Sequence, residues 1–145
     1  MSSRHMWAVV CDDVRQEIGN KLSCMGIYGG EMFVSALPLV LPKLCVVLHT
    51  RTLASEPFET LVRRILKDGS ELARLEVPND QLTAMKARAN SFADEAYLEV
   101  ASIIQFSPFV IEQACILRFR ADTEHETIKG GSLSIKQQPS SPQQG

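Results

Sequence analysis

The sequence predicts a mainly β fold: two antiparallel sheets packed as a sandwich of eight or nine strands, with one short crossover helix. Three observations predict it. Short segments of alternating apolar and polar residues, separated by turn residues, run along most of the chain. No β-α unit repeats, which disfavours a parallel sheet. The 145 residues, 45% of them hydrophobic and 22% charged, suffice for one core without disulfides or metals. The expected division is a flexible stretch or cloning remnant over 1–5, one domain over 6–137 and a disordered Gln-, Ser- and Pro-rich tail over 138–145.

Trp7 to Cys11 and Leu22 to Tyr28 read as the first two strands. Gly29-Gly30 supplies a tight turn into Met32 to Ser35, completing a meander. Pro38 and Pro42 bracket a connection that cannot be a central strand, since proline has no ladder donor. Leu44, Val46 and Leu48 alternate with Cys45, Val47 and the more polar His49 and Arg51. The stretch 56–67 carries a helical period in Phe58, Leu61, Val62, Ile65 and Leu66. The Asp68-Gly69 pair and the alternating Ala73, Leu75 and Val77 that follow favour a strand hairpin instead.

Leu82, Met85, Ala89 and Phe92 share one face of a helix inside 79–93, with Asn79 or Asp80 as its cap. Tyr97 to Phe106 is a long strand ended by Ser107-Pro108, and Phe109 to Ile111 continues beside it. Cys115, Leu117, Phe119 and Ala121 point inward on the next strand. Gly130-Gly131 forms a turn or bulge before Ser132 to Gln137. That last strand has only Lys136 to protect it, so it is the expected free edge and the expected contact of a homodimer.

With 15 basic against 17 acidic side chains there is no field to attract phosphate backbones, and nucleic acid is not an expected partner. No apolar run approaches the roughly 20 residues of a membrane helix. The start lacks the pattern of an export signal, which favours a cytoplasmic protein. Cys11, Cys24, Cys45 and Cys115 lie in apolar stretches without paired spacing, and so read as buried free thiols.

Two acidic groups are the weak metal candidates: Asp12 and Asp13, with Glu17 nearby, and Asp122 with Glu124, His125 and Glu126. Calcium takes such oxygen ligands, but adjacent acidic residues more often cap local backbone. No catalytic, cofactor-binding or metal residue is therefore assigned, and no cofactor is expected. Neither a phosphate loop nor a nucleophile elbow occurs. Trp7, Tyr28, Tyr97 and the phenylalanines are expected mainly in the core.

The run Cys11-Asp12-Asp13-Val14-Arg15, then Lys21-Leu22-Ser23 and Gly26-Ile27-Tyr28-Gly29, then Pro38 with Leu41-Pro42, resembles a family of small bacterial proteins classed only as a domain of unknown function. The resemblance implies a compact cytoplasmic β-sandwich and supplies no activity, cofactor or catalytic residue. An aspartate of the first run would bond backbone amides while Arg15 pairs with a carboxylate. The expected function is a non-enzymatic binding module or accessory protein whose partner is another protein. The alternatives are a calcium-assisted binding domain, and an enzyme whose site converges only in three dimensions, with His49 or His125 beside a carboxylate in a deep polar pocket.

Overall fold

The computed structural model describes residues 3–91, 93 and 96–139. Eleven strands and one helix follow in order: β1 (His5–Glu17), β2 (Lys21–Ile27), β3 (Glu31–Val34), β4 (Leu39–Leu41), β5 (Leu44–Leu53), β6 (Leu61–Lys67), β7 (Ser70–Glu76), α1 (Asn79–Ala89), β8 (Tyr97–Phe106), β9 (Phe109–Ile111), β10 (Cys115–Thr123) and β11 (Thr127–Gln137). They form a four-stranded sheet β2-β1-β5-β8, a five-stranded sheet β3-β11-β10-β6-β7 and the small pair β4-β9. The strand total exceeds the eight or nine expected. One reason is β4, three residues long between Pro38 and Pro42, which pairs Leu39 with Ile111 and Leu41 with Phe109.

Alternation places the core between the two large sheets. Val46 and Leu48 of β5 and Val100 of β8 share one cluster with Ile65, Leu117, Phe119 and Leu133 from the opposite sheet. Each fully buried aliphatic side chain there stabilises the fold by about 1.5–3 kcal/mol. The stretch 56–67 is strand over Leu61–Lys67. Asp68 and Gly69, at φ 48° and 86°, make the two-residue turn that the following alternation implied. The helix appears where its period placed it, burying Leu82 and Met85. Its N-cap is Pro78, with no side-chain cap, so neither Asn79 nor Asp80 does that work. Phe92 lies outside the described residues.

Three expectations are corrected. Gly29-Gly30 is no hairpin: neither glycine has a positive φ, and the chain crosses there from one sheet to the other. β3 then lies parallel to β11, Met32 beside Ile135, which buries Met32 and Val34 in the core. For the same reason Ser132 to Gln137 is not a free edge, since β11 sits between β3 and β10. Phe109 to Ile111 pairs with β4 rather than beside the strand that precedes it. Alternation reveals which side chains turn inward, and it is silent on which strands become neighbours.

The Gly130-Gly131 pair does form a bulge, with the β10–β11 register shifting between Arg118 and Arg120 and Gly131 at φ 89°. Arg4, which the composition of the start placed in a loose stretch, is 7% exposed. Its guanidinium reaches Thr52 at 3.2 Å, the carbonyls of Glu56 and Pro57, and Glu124 at 2.5 Å, and it lies 4.7 Å from the centre of the Phe58 ring. Glu124 also accepts from the amides of Glu59 and Thr60 at 3.1 and 3.2 Å.

Burial alone would raise the Glu124 carboxyl, but Arg4 and the backbone amides together hold it down at about 2. The unfolded chain, whose glutamates titrate near ~4.3, takes up this proton first. The contact therefore stabilises the protein fully above about pH 4.3 and is lost as pH falls toward 2. Glu124→Gln is expected to lower stability at pH 7 by about 1–3 kcal/mol, with the difference from the parent closing through that window. Urea midpoints at pH 7, 4 and 2.5 measure it, and a pH-independent difference would contradict the assignment.

Candidate functional site

β1 serves two partners in succession. From His5 to Cys11 it pairs with β5, at Cys11 it pairs with both β5 and β2, and from Asp13 to Glu17 it pairs only with β2. Beyond Cys11 the β1–β2 hairpin is thus a two-stranded arm. The residues at its root fix how it leaves the sheet. Asp13 Oδ1 accepts from Lys43 Nζ at 2.8 Å and from the Val14 amide at 2.9 Å, and Cys11 Sγ donates to the Asp13 carbonyl at 3.4 Å. Lys43 first, then the Val14 amide, hold Asp13 below the usual carboxylate range. Tyr28 Oη donates to Asp12 at 2.8 Å. Burial and then the Asp12 contact push that phenol up to about 12. Gly26 lies against Asp12 at φ 68°, where a Cβ would come within 2.8 Å of Asp12 Cγ. Arg15 does not fix this loop: it is 3.9 Å from Glu17 with its side chain 70% exposed. The short, charged reach of Lys43 holds it instead.

The arm ends over the far side of the sheet. Gln16, Glu17, Asn20, Lys21 and Leu22 line a cleft of about 490 Å³ together with Ala101, Ser102 and Ile103 of β8. β2 and β8 are opposite edges of the four-stranded sheet, so the arm must arch back across β5 to share a cleft with β8. The inner face is occupied by the second sheet, which leaves the outer one. Cys11, Cys45 and Val47, which point outward, are each 0–1% exposed. Three consecutive β8 residues, facing both ways, line the cleft, and it therefore meets that strand at its unpaired edge.

Beside the cleft stands a row of polar and aromatic side chains. His49 is the cross-strand partner of both Trp7 and Ala101. Its ring stacks on Trp7 at 4.9 Å and 4°, and its Nδ1 lies 2.7 Å from Glu99 Oε1. Arg51 lies 3.9 Å over the Tyr97 ring and 5.8 Å from that of Trp7. Trp7 and Tyr97 are hence outward residues, a correction to their expected place in the core, whereas Phe58, Phe109 and Phe119 are buried. The usable signal was parity: Trp7 falls between the inward Met6 and Ala8, as His49 and Arg51 fall between the inward Leu48, Thr50 and Thr52.

The four acidic candidates are not brought together. Asp12 and Asp13 brace the arm, while Asp122 pairs with Arg64 at 2.7 and 3.0 Å and accepts from Thr127, and Glu124 is held by Arg4. Among the described residues no three His, Cys, Asp or Glu side chains are grouped as metal ligands are. His125 lies 3.9 Å from Glu124 with its side chain 77% exposed, and that carboxylate is already engaged. His49 does stand beside a carboxylate, on the open face of a sheet. Cys11, Cys24 and Cys45 gather at the arm's root, all free; burial, then Cys24, push the Cys11 thiol up to about 12.

The chain belongs to a family of unknown function (DUF6941), which it matches over residues 6–136. No curated protein matches it. Among the described residues no helix is long and apolar enough to cross a membrane.

Two outcomes test the arm's root. Gly26→Ala is expected to cost about 2 kcal/mol through its backbone angle and the contact with Asp12, read as a lower urea midpoint. An unchanged midpoint would mean that the arm does not need this glycine. In the folded protein at pH 8, a thiol reagent is expected to label the half-buried Cys24 well ahead of Cys11, Cys45 and Cys115. Equal labelling of all four would contradict the packing described.

Proposed function

We propose that this family member is a non-catalytic binding module that takes an extended segment of a protein partner along the free edge of β8, in the cleft under the hairpin arm. One observation carries the proposal: the unpaired side of β8 forms one wall of a cleft whose opposite wall is the arm. A free strand edge offers a row of backbone donors and acceptors, and a second wall selects the side chains that enter. β8 is poorly defended. Of its ten residues only Glu99 is charged, whereas β7, at the edge of the other sheet, carries Glu71, Arg74 and Glu76, and β3 is only four residues long.

The arm adds apolar surface to such a contact, with Ile18 95% and Ile27 63% exposed. Scattered exposed aliphatics need no explanation, but here Ile18, Leu22, Met25 and Ile27 all belong to one arm. A cytoplasmic setting fits the free thiols and is part of the proposal.

Ala101→Trp fills the cleft without touching the core, because Ala101 faces outward. A protein recovered from native cells with the tagged parent, and with the control Val110→Trp on β9, is expected to fall at least tenfold with Ala101→Trp. Equal recovery with all three, or no recovered protein, would overturn the proposal. Sedimentation completes the test: a dimer that Ala101→Trp dissociates would make the occupant a second copy and remove the separate partner.

A further inference from the structure

We infer that Arg51 is the carboxylate-binding position of this surface: the partner segment places an acidic side chain on Arg51, two residues along from the one that enters the cleft. The inference rests on the strand-addition reading and adds the partner's chemistry.

Arg51 is an unusual cation. It stacks over Tyr97 and lies near Trp7, yet among the described residues its guanidinium makes no hydrogen bond or ion pair. Stacking satisfies the face of a guanidinium and leaves its in-plane N–H donors unused. Nε is buried without a partner, while the two Nη groups reach solvent. A planar fork of donors fixed by aromatic rings is matched to a carboxylate, which takes two parallel hydrogen bonds.

Its cross-strand carboxylate does not pair with it. Glu99 is the cross-strand neighbour of Arg51, but its Oε1 is turned to His49 Nδ1 at 2.7 Å. That bond places the Nδ1 proton toward Glu99 and leaves Nε2 on the other side of the ring. His49 itself is stacked flat on Trp7. The row is therefore packed on itself, and the Nη groups of Arg51 are its unused cationic donors.

Register supplies the spacing. Along β8 the outward residues are Tyr97, Glu99, Ala101 and Ile103, and Arg51 pairs with Glu99 while the cleft begins at Ala101. Alternate side chains of an extended strand are about 6.6–6.8 Å apart. A segment added along β8 has the same repeat, so the side chain after next to the one in the cleft comes opposite Glu99, in the cross-strand row that Arg51 occupies one strand farther in. An uncharged residue there would leave the Nη donors without an acceptor, which makes the position selective.

Trp7 is the only tryptophan in the sequence, and its indole N–H gives one nuclear resonance signal within this cluster. Sodium acetate, titrated at ionic strength held constant with chloride, is expected to shift that signal saturably. Arg51→Gln should abolish the shift, and Arg51→Lys, which keeps the charge without the fork, should weaken it at least threefold. Both variants must keep the parent's dispersed spectrum, and the lysine variant carries the test if glutamine disturbs the fold. A signal unmoved by acetate, moved only by sodium phosphate, or moved equally in Arg51→Gln, would overturn the inference. With the partner itself, Arg51→Gln is expected to reduce recovery at least fivefold. Recovery lost with Ala101→Trp but untouched by Arg51→Gln would leave strand addition standing and remove the carboxylate position.

Discussion

The first half of β5, Leu44 to Leu48, cannot give either face to water. Leu44, Val46 and Leu48 fill the space between the large sheets, and Cys45 and Val47, on the opposite face, are no less buried. A strand buried on both faces needs a second cover, and the described residues form no third sheet or helical layer over the outer face. The cover is the outer end of its own first hairpin. That requirement explains why β1 leaves β5 at Cys11, why the arm arches back, and why the arm and β8 end up facing each other across a cleft.

The root of the arm shows how local chemistry meets that requirement. Two adjacent aspartates divide the work: Asp13 ties the bend to Lys43 at the start of β5, and Asp12 receives Tyr28 from beyond β2. Each contact joins the arm to a segment outside it, so the bend is fixed from two directions. Gly26 removes the side chain that would otherwise occupy the space of Asp12. The Cys-Asp-Asp-Val and Gly-Ile-Tyr segments thus have a structural role at the root of the arm.

The fold was legible where period and turn chemistry agreed. Strand against helix at Leu61–Lys67 was decided by Asp68-Gly69, because a two-residue turn with positive φ at both positions commits its flanks to a hairpin. What depended on pairing between distant segments was not legible. Gly29-Gly30 looks like any hairpin turn until β3 is seen beside β11, some 100 residues later in the chain. The proposed binding surface was hidden for the same reason. His49, Glu99, Arg51 and Tyr97 come together through the β5–β8 register, and nothing near His49 in sequence announces Glu99. Asp12, Asp13, Asp122 and Glu124, conspicuous in sequence, act as fasteners.

Arg63 links the core to the edge where binding is proposed. It is 1% exposed, lies on β6, and crosses the core to donate to the carbonyls of Leu48 and Val100 and to Ser102 Oγ. Among the described residues no carboxylate pairs with it, and burial lowers it to about 10. Desolvating a cation costs several kcal/mol, and an apolar residue of similar size would serve a core at least as well. What an apolar residue cannot do is hold β8 from beneath. An edge strand has a neighbour on one side only, so its backbone frays more easily than that of β5. A guanidinium bonded to two β8 residues and one β5 residue fixes the position of Ser102, which lines the cleft. A partner strand that meets an already ordered edge has less ordering entropy to overcome. The buried cation of the core and the open edge at the surface are therefore two ends of one arrangement.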